Sequence, residues 1–530
     1  MRRFIFFVVV LTLGLSGACV SAKTLTFCSE GNPETLSPIF NTTSTSFDVT
    51  GQVFDNLVTF RPGTTEVMPA LAQRWTVSSD GLVYVFTLRR GVKWQSTENF
   101  KPTRHFNADD VLFTFERQWK PTHPFYAVTS AHHPYFKDMG MADMLKSIEK
   151  VDDYTVKFTL QQPVMPFVAD LAMRWAGMQS AEYAAAMWKA GTPERVDQQP
   201  VGTGPFQLQG FEKDRQVVFK AFEDHWAGRA KVDGLVFAIH PNAATRWAKL
   251  QSAECQIMAY PSPVDLPLMR EHPRMTVMSQ TGLNIAYMAY NLRKKPFDDV
   301  RVRRALNMAI DRRKILRSAY QYTAVPATNP FPPIQWAYNR HVADDVFDPK
   351  AAQQLLAAAG YPTGFETELW AMSVQRPYLP DALSVAKLIQ ADLAQVGVTV
   401  VIKSPDWQSY LRGMQAGEHQ MGLLGWTGDN GDPDNFLNTL LGCSALSGNN
   451  VAKFCDARYD ALVKKAKSST RHDERIRLYE QAQLIFKEQA PWMTLAHTVQ
   501  FNVMRQEVVG FEVSPFGRHV FWDVDVVSSP

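Results

Sequence analysis

Val385 to Ile402 reads VAKLIQADLAQVGVTVVI. Val385, Leu388, Ile389, Leu393 and Val396 recur at the spacing of one helix face, Gly397 is a residue at which a helix ends cheaply, and Val398 to Ile402 is a strand of β-branched residues. Helix, glycine, strand is an α/β signature. Working outward, Val302, Ala305, Leu306, Ala309 and Ile310 repeat the helical spacing, and Arg475 to Glu488 forms another amphipathic helix stopped before Pro491. Toward the N-terminus, Tyr84 to Leu88 and Asp152 to Leu160 alternate in polarity, which predicts antiparallel strands, while Thr24 to Phe27 alternates and runs into a polar loop from Ser29 to Ser46. Between the two alternating stretches, Asn107 caps a short helix with Asp109 and Asp110 in its first turn, where the helix dipole favours them. No internal repeat is found.

With 530 residues, 45% hydrophobic and 20% charged, the chain is ordinary globular material. At roughly 150 residues per domain it holds about three. Its 55 basic against 52 acidic residues leave a net charge of +3, far too small to argue for a nucleic-acid partner, so none is expected, and no basic stretch is dense enough for a membrane-surface patch. Aromatic residues reach 12%, with 13 Trp, which suits a large core or a pocket that shields a small ligand.

Residues 1–22 read as a secretory signal peptide: Arg2 and Arg3, an apolar run from Phe4 to Leu15, then Val20, Ser21 and Ala22 before the cut. The run is short of the about 20 residues that span a bilayer. A lipoprotein reading on Cys19 lacks the usual apolar residue three positions upstream. Export leaves Cys28, Cys255, Cys443 and Cys455, an even set that suggests two disulfides. Cys443 and Cys455 are close enough to close a short loop, but all three pairings stay open at this point. A thiolate metal site finds no C-x-x-C spacing.

Common catalytic signatures are absent: no H-E-x-x-H, no G-x-S-x-G, no phosphate-binding G-x-x-x-x-G-K. His123, His132 and His133 sit beside Pro124 and Pro134 and read as an irregular surface loop. The stretch Gly425 to Phe436 is different, packing three carboxylates among glycines next to Trp426. Its spacing fails as a calcium loop. A carboxylate held there by backbone and aromatic neighbours suits an ammonium group. In Trp370 to Tyr378, Arg376 offers the planar fork that pairs with a carboxylate.

The whole mature chain resembles the family 5 extracellular solute-binding proteins of bacterial ABC importers, and within them the dipeptide-binding subgroup. The family marks are Pro69 to Trp75 running through Asp80-Gly81 to Phe86 to Trp94, then Val201 to Phe206, Lys295 to Leu306, and Asp348-Pro349 ahead of Ala359-Gly360-Tyr361. The subgroup is marked by Lys23 to Leu25, Cys28 to Gly31, Val374 to Tyr378 and Gly425 to Phe436.

The resemblance implies an α/β, two-lobed periplasmic binding protein of type II, cluster C, with three domains, mixed sheets and a hinge between lobes. Its discontinuous domain I would take 23–54, 206–282 and 501–530, inserted domain II 55–205, and domain III 283–500. It further implies that Asp429 receives a dipeptide's α-ammonium and Arg376 its α-carboxylate, while Thr42 and the backbone around Pro377-Tyr378 and Trp426-Thr427-Gly428 take the main chain. Cys28 would pair with Cys255 and Cys443 with Cys455. Trp370 and Trp426 are expected near the ligand. The implied function is capture of dipeptides in the periplasm for an inner-membrane permease by a monomer, with no enzyme activity, cofactor or metal. Haem, glutathione or antimicrobial peptides are the alternative cargo within the family, and a secreted peptidase the alternative outside it.

Overall fold

A computed structural model of the chain describes residues 22–373 and 376–527. The signal segment up to Ser21, with Cys19, lies outside the described residues, as do Val374 and Gln375 of the subgroup motif.

The stretch from Val385 to Ile402 folds as its periodicity predicts. Asp381 caps the helix Ala382–Ala394, its side chain accepting the Ser384 N–H at 2.9 Å. Val385, Ile389 and Leu393 are buried, Gly397 turns the chain at φ +84°, and the strand Thr399–Lys403 follows. That strand starts a sheet of twelve strands in which Thr399–Lys403, Glu366–Trp370, Met421–Thr427, Asn284–Tyr290, Trp492–Arg505, Ile257–Ala259, Thr24–Ser29 and Gly234–Ile239 lie side by side. The mixed pairing belongs to an α/β protein. Trp492–Arg505 ties the halves together, since its first residues pair with Asn284–Tyr290 and its last with Ile257–Ala259 and Met275–Thr281.

Val83–Leu88 and Thr155–Leu160 pair antiparallel within a separate four-stranded sheet. Asn107 caps the helix Ala108–Trp119 in a reciprocal capping box with Asp110. Two expectations are corrected here. The loop after Ser29 ends early, because the helix Ser44–Val53 starts before its buried residues Phe47, Val49 and Val53, behind a polar Ser-Thr-Ser turn that hides it. The histidine segment is not wholly irregular: His133 is buried against Phe40 with its ring on the Tyr126 carbonyl, and the short helix Pro134–Asp138 follows.

Apolar side chains gather in separate cores. One draws on 283–496 with Phe516, a second on 47–201, and two smaller ones on 25–54, 206–278 and 503–524. The second core joins its neighbours where Gly202 and Gly204 lie against the backbone of Val53, with the Gly204 N–H on the Val53 carbonyl at 2.8 Å. Disulfides link Cys28 to Cys255 and Cys443 to Cys455, with Cα atoms 5.8 and 4.8 Å apart. No helix among the described residues is long and apolar enough to cross a membrane.

Candidate ligand-binding site

Glu366–Trp370 and Met421–Thr427 run parallel, with Leu369 beside Met421 and Trp370 beside Gly422. Their carboxyl ends therefore open at one edge of the sheet, the place where α/β proteins hold ligands. Arg376 and Asp429 sit on the two loops that leave this edge.

On the first loop, Arg376 and Leu379 exchange backbone hydrogen bonds of 3.1 and 3.0 Å, which folds Pro377 and Tyr378 into a tight turn. Arg376 is half-buried and Pro377 exposed, while the buried Tyr378 ring lies where a side chain on Gly425 would run into it. That glycine lets the first loop pack onto the strand that leads into the second. The Tyr320 hydroxyl donates to the Tyr378 carbonyl at 3.1 Å, and burial pushes the Tyr378 phenol up to about 12.

On the second loop, Thr427 is the last strand residue, paired with Asn284, and the Gly428 N–H donates to the Leu283 carbonyl at 2.7 Å. Asn435 then organises the turn. Its Oδ1 accepts the Trp426 Nε1–H at 2.8 Å and the Asp429 N–H at 3.1 Å, and its Nδ2 donates to Asp429 Oδ2 at 3.3 Å. Arg518, from the C-terminal segment, donates to the Asp429 carbonyl oxygen at 3.3 Å. Burial, with the Arg174 guanidinium nearby, pulls Arg518 down to about 10. Sequence reasoning missed both residues: Asn435 lay inside the quoted loop without a role, and no local signal brings Arg518 to Asp429.

The other expected positions divide. Thr42 is exposed and gives both its N–H and its hydroxyl to Glu34, at 2.7 Å each. Burial raises the Glu34 carboxyl, but hydrogen bonds from Thr42, Thr43 and Ser46 outweigh it and hold the group below the usual range. Trp370 is a correction: only 9% exposed, it packs on Tyr410 and His419 in the space left by Gly413. Arg376 opens into a cleft of about 600 Å³ with Glu30, Arg246 and Tyr260 on its walls. Asp429 opens into a cavity of about 720 Å³ with Tyr135, Trp426, Asp170 and Lys467.

Behind Asp429 the chain segments 55–205 and 283–500 meet through polar groups. Asn430 donates to Asp170 at 2.6 Å and the Met165 N–H to the Lys467 carbonyl at 2.9 Å, while Arg475, within 283–500, pairs with Asp432 at 2.8 Å beside them. Burial pushes the Asp170 carboxyl up to about 7. In the unfolded chain it would ionise near pH 4, so folding takes up a proton between pH 4 and 7 and this group costs stability as pH rises through that window. Asp170→Asn, which keeps an acceptor for Asn430, is expected to melt higher than the parent at pH 8 by the equivalent of about 4 kcal/mol, roughly 1.4 kcal/mol for each pH unit of that window. Below pH 4 the two should melt alike, and by pH 5 about a third of that difference is present. A melting difference that does not grow between pH 5 and 8 would refute the assignment.

The chain is similar to known proteins over most of its length. Residues 66–448 match the family described as bacterial extracellular solute-binding proteins, family 5. The dipeptide-binding protein of Escherichia coli (strain K12) is 46% identical over 525 residues, covering 98% of each chain. Among solved structures, HbpA2 from Haemophilus parasuis superposes with a TM-score of 0.93 at 40% identity, over 95% of this chain and 100% of that one. A dipeptide-binding protein from Pseudoalteromonas in complex with Met-Leu superposes with a TM-score of 0.78 at 37% identity, again over 95% of this chain and 100% of that one.

Proposed function

We propose that this chain, which belongs to the family 5 bacterial extracellular solute-binding proteins, is the periplasmic receptor of an ABC importer, capturing dipeptides between two lobes and handing them to an inner-membrane permease. Its working parts would be three units meeting near residues 55, 205, 283 and 500. The separate apolar cores support that division. The observation that carries the function is the placement of Asp429 and Arg376 on loops that leave neighbouring parallel strands at one edge, with Tyr378 of the first loop packed on Gly425 of the strand that leads into the second.

A free dipeptide has an ammonium and a carboxylate about 7 Å apart when extended. Two charges of opposite sign, closed onto the ligand by a hinge motion, would read that length. A longer peptide overshoots one charge and leaves a buried terminus unpaired, at a cost of several kcal/mol, so length is selected by desolvation. The peptide main chain would be met by Thr42 and by the backbone of Pro377, Tyr378, Trp426, Thr427 and Gly428. Because polar contacts to the main chain ignore side chains, water can fill spare volume beside small ones.

The receptor would leave the cytoplasm through its signal segment, lose that segment, and act as a monomer without cofactor. Calorimetry with Ala-Ala, its N-acetylated form and tetra-alanine tests the reading. Ala-Ala should bind at least tenfold more tightly than the other two. Equal affinities for all three would sink it, as would native mass spectrometry of the purified protein that finds haem in place of small peptides.

A further inference from the structure

The cavity into which Asp429 opens carries more negative than positive charge. Asp170, Asp429 and Asp434 line it, and Lys467 is the single lysine or arginine among its lining residues. Lys467 lies 3.3 Å from Asp434. Asp170, 4% exposed, is hydrogen-bonded by the neutral Asn430. Arg475, which raises the positive count behind this wall, is already paired with Asp432. Burial raises both the Asp170 and the Asp434 carboxyls, the response of anions short of a counter-charge.

A dipeptide whose ammonium rests on Asp429 leaves Asp170 and Asp434 facing Lys467 alone, one positive charge short. The first side chain starts about 2.5 Å from that ammonium nitrogen, so this cavity is the space nearest to it. At about 720 Å³ there is room for a long side chain with water. Met144, Val164 and Pro166 offer apolar wall for its methylenes. We infer that the chain favours dipeptides whose first residue is lysine or arginine, with the side-chain cation set against Asp170. The second residue meets no such bias: once the ligand carboxylate takes Arg376, Glu30 and Arg246 balance each other in the other cleft.

The inference rests on the dipeptide reading, and the experiment separates the two. Calorimetry at pH 8 compares Lys-Ala with norleucine-Ala, which has the same carbon chain without the ammonium, and Ala-Lys with Ala-norleucine. Lys-Ala should bind at least fivefold more tightly than norleucine-Ala, while Ala-Lys and Ala-norleucine stay within threefold. If Ala-Ala itself fails to bind, the dipeptide reading falls and takes the inference with it. If Ala-Ala binds and the first ratio is below fivefold, the inference alone falls. Asp170→Asn should at least halve the Lys-Ala to norleucine-Ala ratio, and an unchanged ratio would overturn the role given to Asp170.

Discussion

Arg376→Ala and Asp429→Ala are each expected to weaken Ala-Ala binding by about thirtyfold or more, the equivalent of roughly 2 kcal/mol. On the proposed reading, each removal would leave a ligand charge without its partner once the lobes have closed over it. Most of the loss is then the cost of burying that orphan charge, which is why the effect exceeds the worth of an exposed ion pair. The two variants should differ in what they still discriminate. Asp429→Ala should bind free and N-acetylated Ala-Ala with similar affinity, and Arg376→Ala should no longer distinguish Ala-Ala from its amide. Calorimetry on the four combinations of variant and blocked terminus reads this directly. A loss below threefold in either variant would mean that its charge faces solvent when the ligand is bound.

Gly202→Ala is expected to be among the most costly single methyl additions at the described glycines. A Cβ there would overlap the Val53 carbonyl oxygen, and Gly204 crowds the same backbone. Neither partner is a flexible side chain that can swing aside, so the junction itself must shift. The expected loss is at the upper end of the roughly 1–3 kcal/mol found for overpacking, or beyond it. Gly210→Ala is the control, because a Cβ at that position meets nothing within 4 Å. Chemical denaturation of the two variants checks this, and equal midpoints would refute it.

This junction also explains part of what the sequence could reveal. Val201 to Phe206 was legible as a family motif without a reason for its glycines. The reason is a contact with Val53, some 150 residues away, which no local pattern encodes. Elements with strong periodicity, such as Ala382–Ala394, were legible because their buried face repeats within the segment. Asp429 and Arg376 stood out as charges among glycine, proline and aromatic neighbours. Asn435 and Arg518, which hold the Asp429 turn, did not, since their partners are fixed only by the fold. Trp370 misled for a related cause. An aromatic residue beside a charged loop looks the same in sequence whether its ring faces a ligand or fills the hollow over Gly413. The negative wall of Asp170 and Asp434 was likewise invisible, being assembled from residues more than 260 positions apart.

The strand Trp492–Arg505 has 14 residues, about 46 Å at the usual rise, and it is a member of both halves of the large sheet. Across the turn between Met275–Thr281 and Asn284–Tyr290 its pairing hardly lapses: the Gly282 N–H reaches the Thr498 carbonyl at 2.9 Å, and Asn284 Oδ1 receives the Thr498 N–H at 2.8 Å. Two bodies joined in this way share a leaf spring and not a door hinge. Under the proposed closure, swinging one against the other would change the twist of a ribbon whose backbone bonds can stay made, so the stroke would need no local melting.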